Sequence, residues 1–584
     1  MFASMLGFIL TFVFIFIFMI AIVAGITQSF SSDKEVTLDK KSVLHLTLDF
    51  PIKEITSDNP FEMIDFNSME AKVNMSLFDI NRNIEKAAKD KNIKGIFLDL
   101  DMLDAGFSSV YEIREALKEF KKSGKFIVAY SEIYTIGAYY LASVADEVYL
   151  VNEGYMDFKG LQLTQLFFKG TLEKLGIEAQ PIRHGKYKSA IEPFINDKMS
   201  EANKTQLTSI LMSLNNSILK DISESRKISV EQLNIIADSF LIRSPKDALS
   251  KKLIDKIAYK DDVINIIVNK CGAKNIEDID LINLRKYNNV PNKDKKYSKD
   301  KIAVIFAEGE IVDRYSKGEG IINSAKLSKL IQDARLDNNI KAIVLRVNSP
   351  GGSVIASDVI WREMILAKKA KPVIVSMGNY AASGGYYIAC MADTIVASPT
   401  TITGSIGVFG LYFNFKKLLN DKLGITTEAV KSNKFADLGI PDKPLSESHK
   451  LIIQNRLDDI YNGFITKVSE GRKLSINHVD SIAQGRVWTG REAKEIGLVD
   501  IVGGLNKAIE IAAKKANVKD YRLTTFPEKE EPFIKLMKSL SGEMRASFLK
   551  YEFGAGYKLY DYIKNNVSTS TIQARLPYYL ESNF

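Results

Sequence analysis

Short apolar runs bounded by polar turns recur along the chain, with amphipathic stretches of helical length between them. Residues 302–306, 342–347 and 373–375 are nearly unbroken apolar runs, the pattern of strands buried on both faces. Between them, 324–335 and 355–370 carry apolar residues at helical spacing. Strands alternating with helices predict βαβ units and a mainly parallel sheet, an α/β class.

The pattern occurs twice. Residues 92–99 (NIKGIFLD) resemble 339–346 (NIKAIVLR), and 137–146 (GAYYLASVAD) resemble 384–393 (GGYYIACMAD), both at an offset of 247. Further on, 247–255 echoes 492–500 at nearly the same spacing. Two gapless blocks at one offset indicate a duplicated module. We place the copies at 40–290 and 301–520, joined by a Lys/Asp/Asn-rich linker at 291–300 and followed by an extension at 521–584 with no partner in the first copy.

The N-terminus departs from the alternation. No charged residue precedes Asp33, and residues 1–26 are almost wholly apolar. Such a run exceeds the core of a cleavable signal peptide and reaches the length of about 20 residues that spans a bilayer. Residues 1–28 are therefore expected to form a transmembrane anchor in contact with lipid. Lys34, Lys40 and Lys41 follow the span, which by charge alone favours a cytoplasmic bulk.

Composition narrows the function classes. A chain of 584 residues exceeds one ordinary core, so at least two domains are expected. A net charge of +8 arises from 79 basic and 71 acidic residues interspersed along the chain, without a concentrated basic block, which argues against a nucleic-acid partner. The two cysteines, Cys271 and Cys390, have neither metal nor redox spacing, and no metal or cofactor is implied.

Candidate chemistry lies in the turns after the second copy's strands. In Asn348-Ser349-Pro350-Gly351-Gly352-Ser353 the glycines let backbone N–H groups face a ligand. In Ala381-Ala382-Ser383-Gly384-Gly385 a serine stands at the start of a short apolar helix, where it reads either as an N-cap or as a nucleophile. If the two turns lie side by side, the Gly352 and Gly384 N–H groups could stabilise an oxyanion formed by attack of Ser383. Among the four histidines, His45, His184, His449 and His478, none sits in a loop that pairs naturally with Ser383. A lysine can serve as base when burial lowers its pKa, and Lys188 stands among small and apolar residues in Lys186-Tyr187-Lys188-Ser189-Ala190-Ile191.

The set NSPGGSV, NYAASGGYYIA, TGSIGVFG and upstream YKSAIEPF, with GRVWTGREAKEIGLVD beyond, resembles the long, duplicated form of the signal peptide peptidase A family, bacterial membrane-bound serine proteases. The resemblance covers nearly the whole chain. It implies two tandem domains of the Clp protease/crotonase ββα spiral type after the N-terminal transmembrane helix. It implies Ser383 as nucleophile, Lys188 as general base and Ser405 as the residue that orients the lysine. It further implies a homotetramer acting on remnant signal peptides at the bacterial cytoplasmic membrane, anchored by a single pass, with the protease domains on the periplasmic side, against the vote of the flanking lysines.

The repeat tests this division. At the common offset Ile136 stands opposite Ser383, Asp104 and Ala105 stand opposite Gly351 and Gly352, and Lys186-Tyr187-Lys188 pairs best with Lys434-Phe435-Ala436. Each copy keeps what the other has lost, as one composite site requires. A crotonase-type acyl-CoA enzyme would need a glutamate pair and a basic nucleotide pocket, and a non-catalytic scaffold would have kept neither half of the dyad.

Overall fold

The computed structural model describes residues 41–56, 75–291 and 298–527, except 317 and 319, together with a few short or isolated positions that include Gln573–Arg575. The expected anchor at 1–28, most of the linker and most of the extension lie outside the described residues. Among the described residues, no helix is long and apolar enough to cross a membrane.

Each copy is built on its own sheet. In the first, the strand order is Lys256–Ile257, Glu147–Met156, Phe126–Tyr134, Ile93–Asp99, Ser42–Leu46, Asp280–Asn283, and every described pairing is parallel. In the second, the order is Val487–Thr489, Ile402–Gly404, Val373–Ala382, Ile340–Ser349, Lys301–Glu308, Arg522–Phe526, with only the Val487–Thr489 edge antiparallel. The apolar runs are explained by burial of both faces. Along Lys301–Glu308, Ala303, Ile305 and Ala307 enter one core, while Ile302, Val304 and Phe306 pack with Leu505–Lys515 in another. The predicted helices appear as Ser324–Leu336 and Val354–Ala370.

The duplication extends to individual contacts. Glu201–Arg226 and Glu447–Arg472 are equal-length helices, each ended by a left-handed lysine, Lys227 or Lys473. Arg226 clasps Asp255 with both Nη atoms as Arg472 clasps Asp500. Tyr139 Oη donates to Leu253 O as Tyr386 Oη donates to Leu498 O.

The copies are locked by buried polar contacts. Arg346 of the second copy donates to Glu54 from Nε at 3.0 Å and Nη2 at 2.8 Å, and Nη2 lies 2.6 Å from Glu112, all three side chains being buried. Burial acts to lower the Arg346 pKa, but the Glu112 and Glu54 carboxylates outweigh it and hold the guanidinium charged. Asn379 Oδ1 of the second copy accepts from Ser108 N and Ser109 N, capping the first copy's helix Phe107–Lys121 in the absence of a cap from Gly106.

A third sheet runs across both copies in the order Ile321–Asn323, Glu310–Val312, Gly351–Ser353, Gln573–Arg575, Val408–Asn414, Glu178–His184. Its last pair is antiparallel and joins the copies, with Val408 opposite His184 and Asn414 opposite Glu178.

Candidate active site

Ser383 and Ser405 are brought together by the second sheet. Val373–Ala382 and Ile402–Gly404 pair in parallel, with Ala382 opposite Gly404, so the next residues emerge side by side at the carboxyl ends of the strands. Ser383 N then donates to Gly404 O at 2.8 Å and Ser405 N to Arg486 O at 2.7 Å. The third sheet delivers the lysine. The ladder ends at the His184–Val408 pair, with Lys188 four residues beyond it on one chain and Ser405 three residues before it on the other.

The result is a compact buried cluster. Lys188 Nζ lies 2.8 Å from Ser383 Oγ, 3.0 Å from Ser405 O and 3.0 Å from Ser405 Oγ. All three side chains are completely enclosed, and none of the amine's hydrogen-bond partners is a carboxylate. Burial without a compensating negative charge holds the Lys188 pKa well below the ordinary lysine range. A neutral amine has two hydrogens and one lone pair. Ser405 O and Oγ can accept the two hydrogens, which leaves the lone pair for the Ser383 hydroxyl.

The N-cap reading of Ser383 fails. The residue precedes helix Gly384–Ala389, but its side chain makes no cap bond. Its backbone, at φ 55° and ψ −113°, lies where a non-glycine residue is strained, a conformation sustained by its surroundings and common at reactive positions. The two glycine turns do lie side by side, because a Cβ on Gly384 would sit 3.1 Å from Gly352 N and 3.2 Å from Gly351 Cα. Gly352 itself is obligatory, since a Cβ there would come within 2.0 Å of Ile311 O.

The histidines are engaged elsewhere. His45 Nε2 lies 2.8 Å from Asp99, and His184 Nδ1 lies 2.7 Å from Asp458 while its ring stacks on Tyr461. His449 packs against Phe435, and His478 sits in the exposed helix start capped by Ser475. In the repeat, Ile136 opens a helix that Thr135 caps, and the Lys188 counterpart around Ala436 is exposed at the surface. Cys390 is packed away, its thiol pushed up to about 12 by burial.

Two supporting residues carry no mark in the sequence. Gln206 is fully buried and donates from Nε2 to Tyr187 O at 3.2 Å and Ser189 Oγ at 2.9 Å, while its Oε1 accepts from Val487 N at 3.3 Å. It ties the turn around Lys188 to the strand beside Ser405. Gly485, at φ 76°, presses on the same turn: a Cβ there would sit 2.7 Å from Lys188 N. Gly485 is a single glycine between Gln484 and Arg486, and nothing local distinguishes Gln206 from other helix glutamines.

The comparisons decide the class. The profile of peptidase family S49 matches residues 119–274 and 365–519, once in each copy, and that of Clp protease matches 303–401. The chain belongs to peptidase family S49. This S49 chain is 39% identical over 482 residues to Protease 4 of Salmonella typhi, covering 81% of itself and 77% of that protein. It is 36% identical over 516 residues to the chloroplastic serine protease SPPA of Arabidopsis thaliana, covering 86% and 73%. Protease 4 of Haemophilus influenzae is 34% identical over 545 residues, with 89% and 88% covered. An α/β serine peptidase with duplicated, Clp protease-like domains is thereby established, which sets aside the acyl-CoA and scaffold alternatives.

Proposed function

We propose that this S49 peptidase degrades apolar peptides, foremost cleaved signal peptides, through an acyl-enzyme formed on Ser383. The observation that carries the mechanism is a buried Lys188 Nζ 2.8 Å from Ser383 Oγ with no carboxylate partner. The neutral amine takes the Ser383 proton as Oγ attacks the peptide carbonyl. The Gly352 and Gly384 N–H groups receive the developing oxyanion. The ammonium, held by Ser405 O and Oγ, then protonates the leaving amine, and water hydrolyses the ester with Lys188 again as base. Nothing in this route calls on a metal or cofactor.

Signal peptides as substrates accord with the resemblance to the signal peptide peptidase A family and with the apolar N-terminal run that would hold the enzyme at a membrane surface. With that run as a single-pass anchor, the protease domains would face the periplasm at the bacterial cytoplasmic membrane, in a homotetramer. The test is to incubate the purified chain with a synthetic signal peptide in detergent micelles and follow fragments by mass spectrometry. Internal fragments from the native chain and none from Ser383→Ala are expected. Fragments that persist in Ser383→Ala would refute the mechanism, and cleavage confined to polar peptides would refute the substrate class.

A further inference from the structure

A tight turn at residues 483–486 lies against the dyad, and its last three residues bond to the loops that carry Lys188 and Ser405. Gln484 O accepts from Tyr187 N at 2.8 Å, Gly485 N donates to Ile406 O at 2.8 Å, and Arg486 O accepts from Ser405 N at 2.7 Å. The approach is close on both sides: a Cβ on Gly185 would lie 2.6 Å from Gln484 C, and one on Gly407 would lie 2.8 Å from Gly485 Cα. Gln484 stands at φ 52°, a left-handed conformation that is strained for a residue with a side chain. It is held there by Tyr461, buried on the helix Glu447–Arg472. Tyr461 Oη accepts from Gln484 N at 3.3 Å and from Gln484 Nε2 at 3.1 Å, and itself donates to Asp480. Gln484 Nε2 also donates to Asp480 Oδ1 at 2.6 Å. The Tyr461 ring stacks on His184 with centroids 3.9 Å apart, and His184 is bound in turn to Asp458. Burial and the hydrogen bond to Asp480 push the Tyr461 pKa up, so the phenol keeps the proton it donates.

The duplication supplies an independent observation. Aligning the two 26-residue helices puts Asn215 opposite Tyr461. Aligning the next helices at their caps, Ser229 and Ser475, puts Asn234 opposite Asp480 and Asp238 opposite Gln484. None of the three residues is kept in the copy that lacks the nucleophile. A contact that served only packing would recur in both copies, as the hydroxyl bonds of Tyr139 and Tyr386 do. We propose that Tyr461 is a positioning residue for the dyad: with Asp480 it holds the strained Gln484 turn, which sets Lys188 and Ser405 against Ser383. The inference deepens the Ser383–Lys188 reading above and rests on it. When the turn relaxes, the amine drifts from Ser383 Oγ and water reaches it, which raises its pKa towards the ordinary lysine range.

The test uses the full chain and an apolar reporter peptide, with melting temperature as the folding control. Tyr461→Phe keeps the ring and its stack on His184 and removes only the hydroxyl. It should lower kcat by about 10- to 100-fold with KM unchanged, and the rising limb of kcat/KM should move to higher pH. Glycine adopts the Gln484 conformation without strain, so adding Gln484→Gly to Tyr461→Phe should recover kcat by about 5-fold or more. If Tyr461→Phe melts below the assay temperature, Asp480→Asn must show the kcat loss at unchanged KM in its place. Native kcat in the single variant, a loss carried by KM, or no recovery in the double variant would overturn the proposal. Ser383→Ala is assayed beside them. Cleavage that persists in Ser383→Ala defeats the dyad reading itself, whereas an inactive Ser383→Ala beside a native-like Tyr461→Phe defeats only the role of Tyr461.

Discussion

Replacing Ser405 by alanine tests how Lys188 is held. The change removes one of the two acceptors that fix the amine and leaves Ser405 O, 3.0 Å away, as the other. A net hydrogen bond contributes about 1 kcal/mol, and a buried N–H left without a partner costs about 1–3 kcal/mol more. The amine is fully enclosed, so water does not replace the lost hydroxyl. Losing about 2–3 kcal/mol of orientation in the transition state corresponds to a fall of about 30- to 150-fold in kcat/KM, carried by kcat. The pH dependence has a definite sign. Burial lowers the Lys188 pKa, so activity rises with pH as the amine loses its proton, below the ordinary lysine range. The ammonium has three N–H groups to satisfy and the neutral amine two, so loss of Ser405 Oγ destabilises the charged form more. The rising limb of kcat/KM in Ser405→Ala should therefore move to lower pH while its plateau falls. Ser405 lies at φ 51°, where glycine is relaxed, so Ser405→Gly separates backbone strain from chemistry and should lose activity equally. Wild-type turnover in either variant, or a limb displaced to higher pH, would refute the proposed role of the hydroxyl.

Three further outcomes are expected. Arg346→Ala leaves the buried Glu54 and Glu112 carboxylates without their cation and should lower unfolding free energy by about 3–5 kcal/mol in urea titrations, whereas an undiminished midpoint would remove this cluster as the lock between copies. Gly485→Ala drives a methyl to 2.7 Å from Lys188 N and should reduce kcat with little change in KM, as measured on an apolar peptide. Burial, reinforced by Glu54, raises the Glu308 carboxyl from 4.5 to about 7. The unfolded chain then ionises first, so this group's stabilisation is full below pH 4.5 and lost as pH rises to 7, by at most about 3 kcal/mol. Glu308→Gln should flatten that part of the native stability profile in denaturant titrations across the window.

The parts of the architecture legible in the sequence were those governed by local burial. The runs at 302–306 and 342–347 announce strands because both faces of a parallel sheet are apolar. Val373–Ala382 outran its apolar signal at 373–375, because its second half is polar and small where it approaches Ser383. Ser383, Lys188 and Ser405 could be named from motifs and from complementary loss between copies, yet nothing local placed the lysine against the serine. That placement depends on the antiparallel pairing of Glu178–His184 with Val408–Asn414, two strands more than two hundred residues apart. Gln206, the Arg346 cluster and the Gln573–Arg575 strand were hidden for the same reason: each gains its meaning from a partner in another part of the chain. The strained backbone of Ser383 and its unused cap are likewise not encoded in its immediate neighbours.

The central claim is that residues from the two copies act as one unit, and a double-mutant cycle across the repeat measures this directly. The values of kcat/KM on an apolar peptide are compared for the native chain, Ser383→Ala, Lys188→Ala and the combined variant. If the dyad is real, each single change lowers the rate by about 10³-fold or more and the double is no worse than the poorer single. Losses that multiply, or native activity in either single variant, would contradict it.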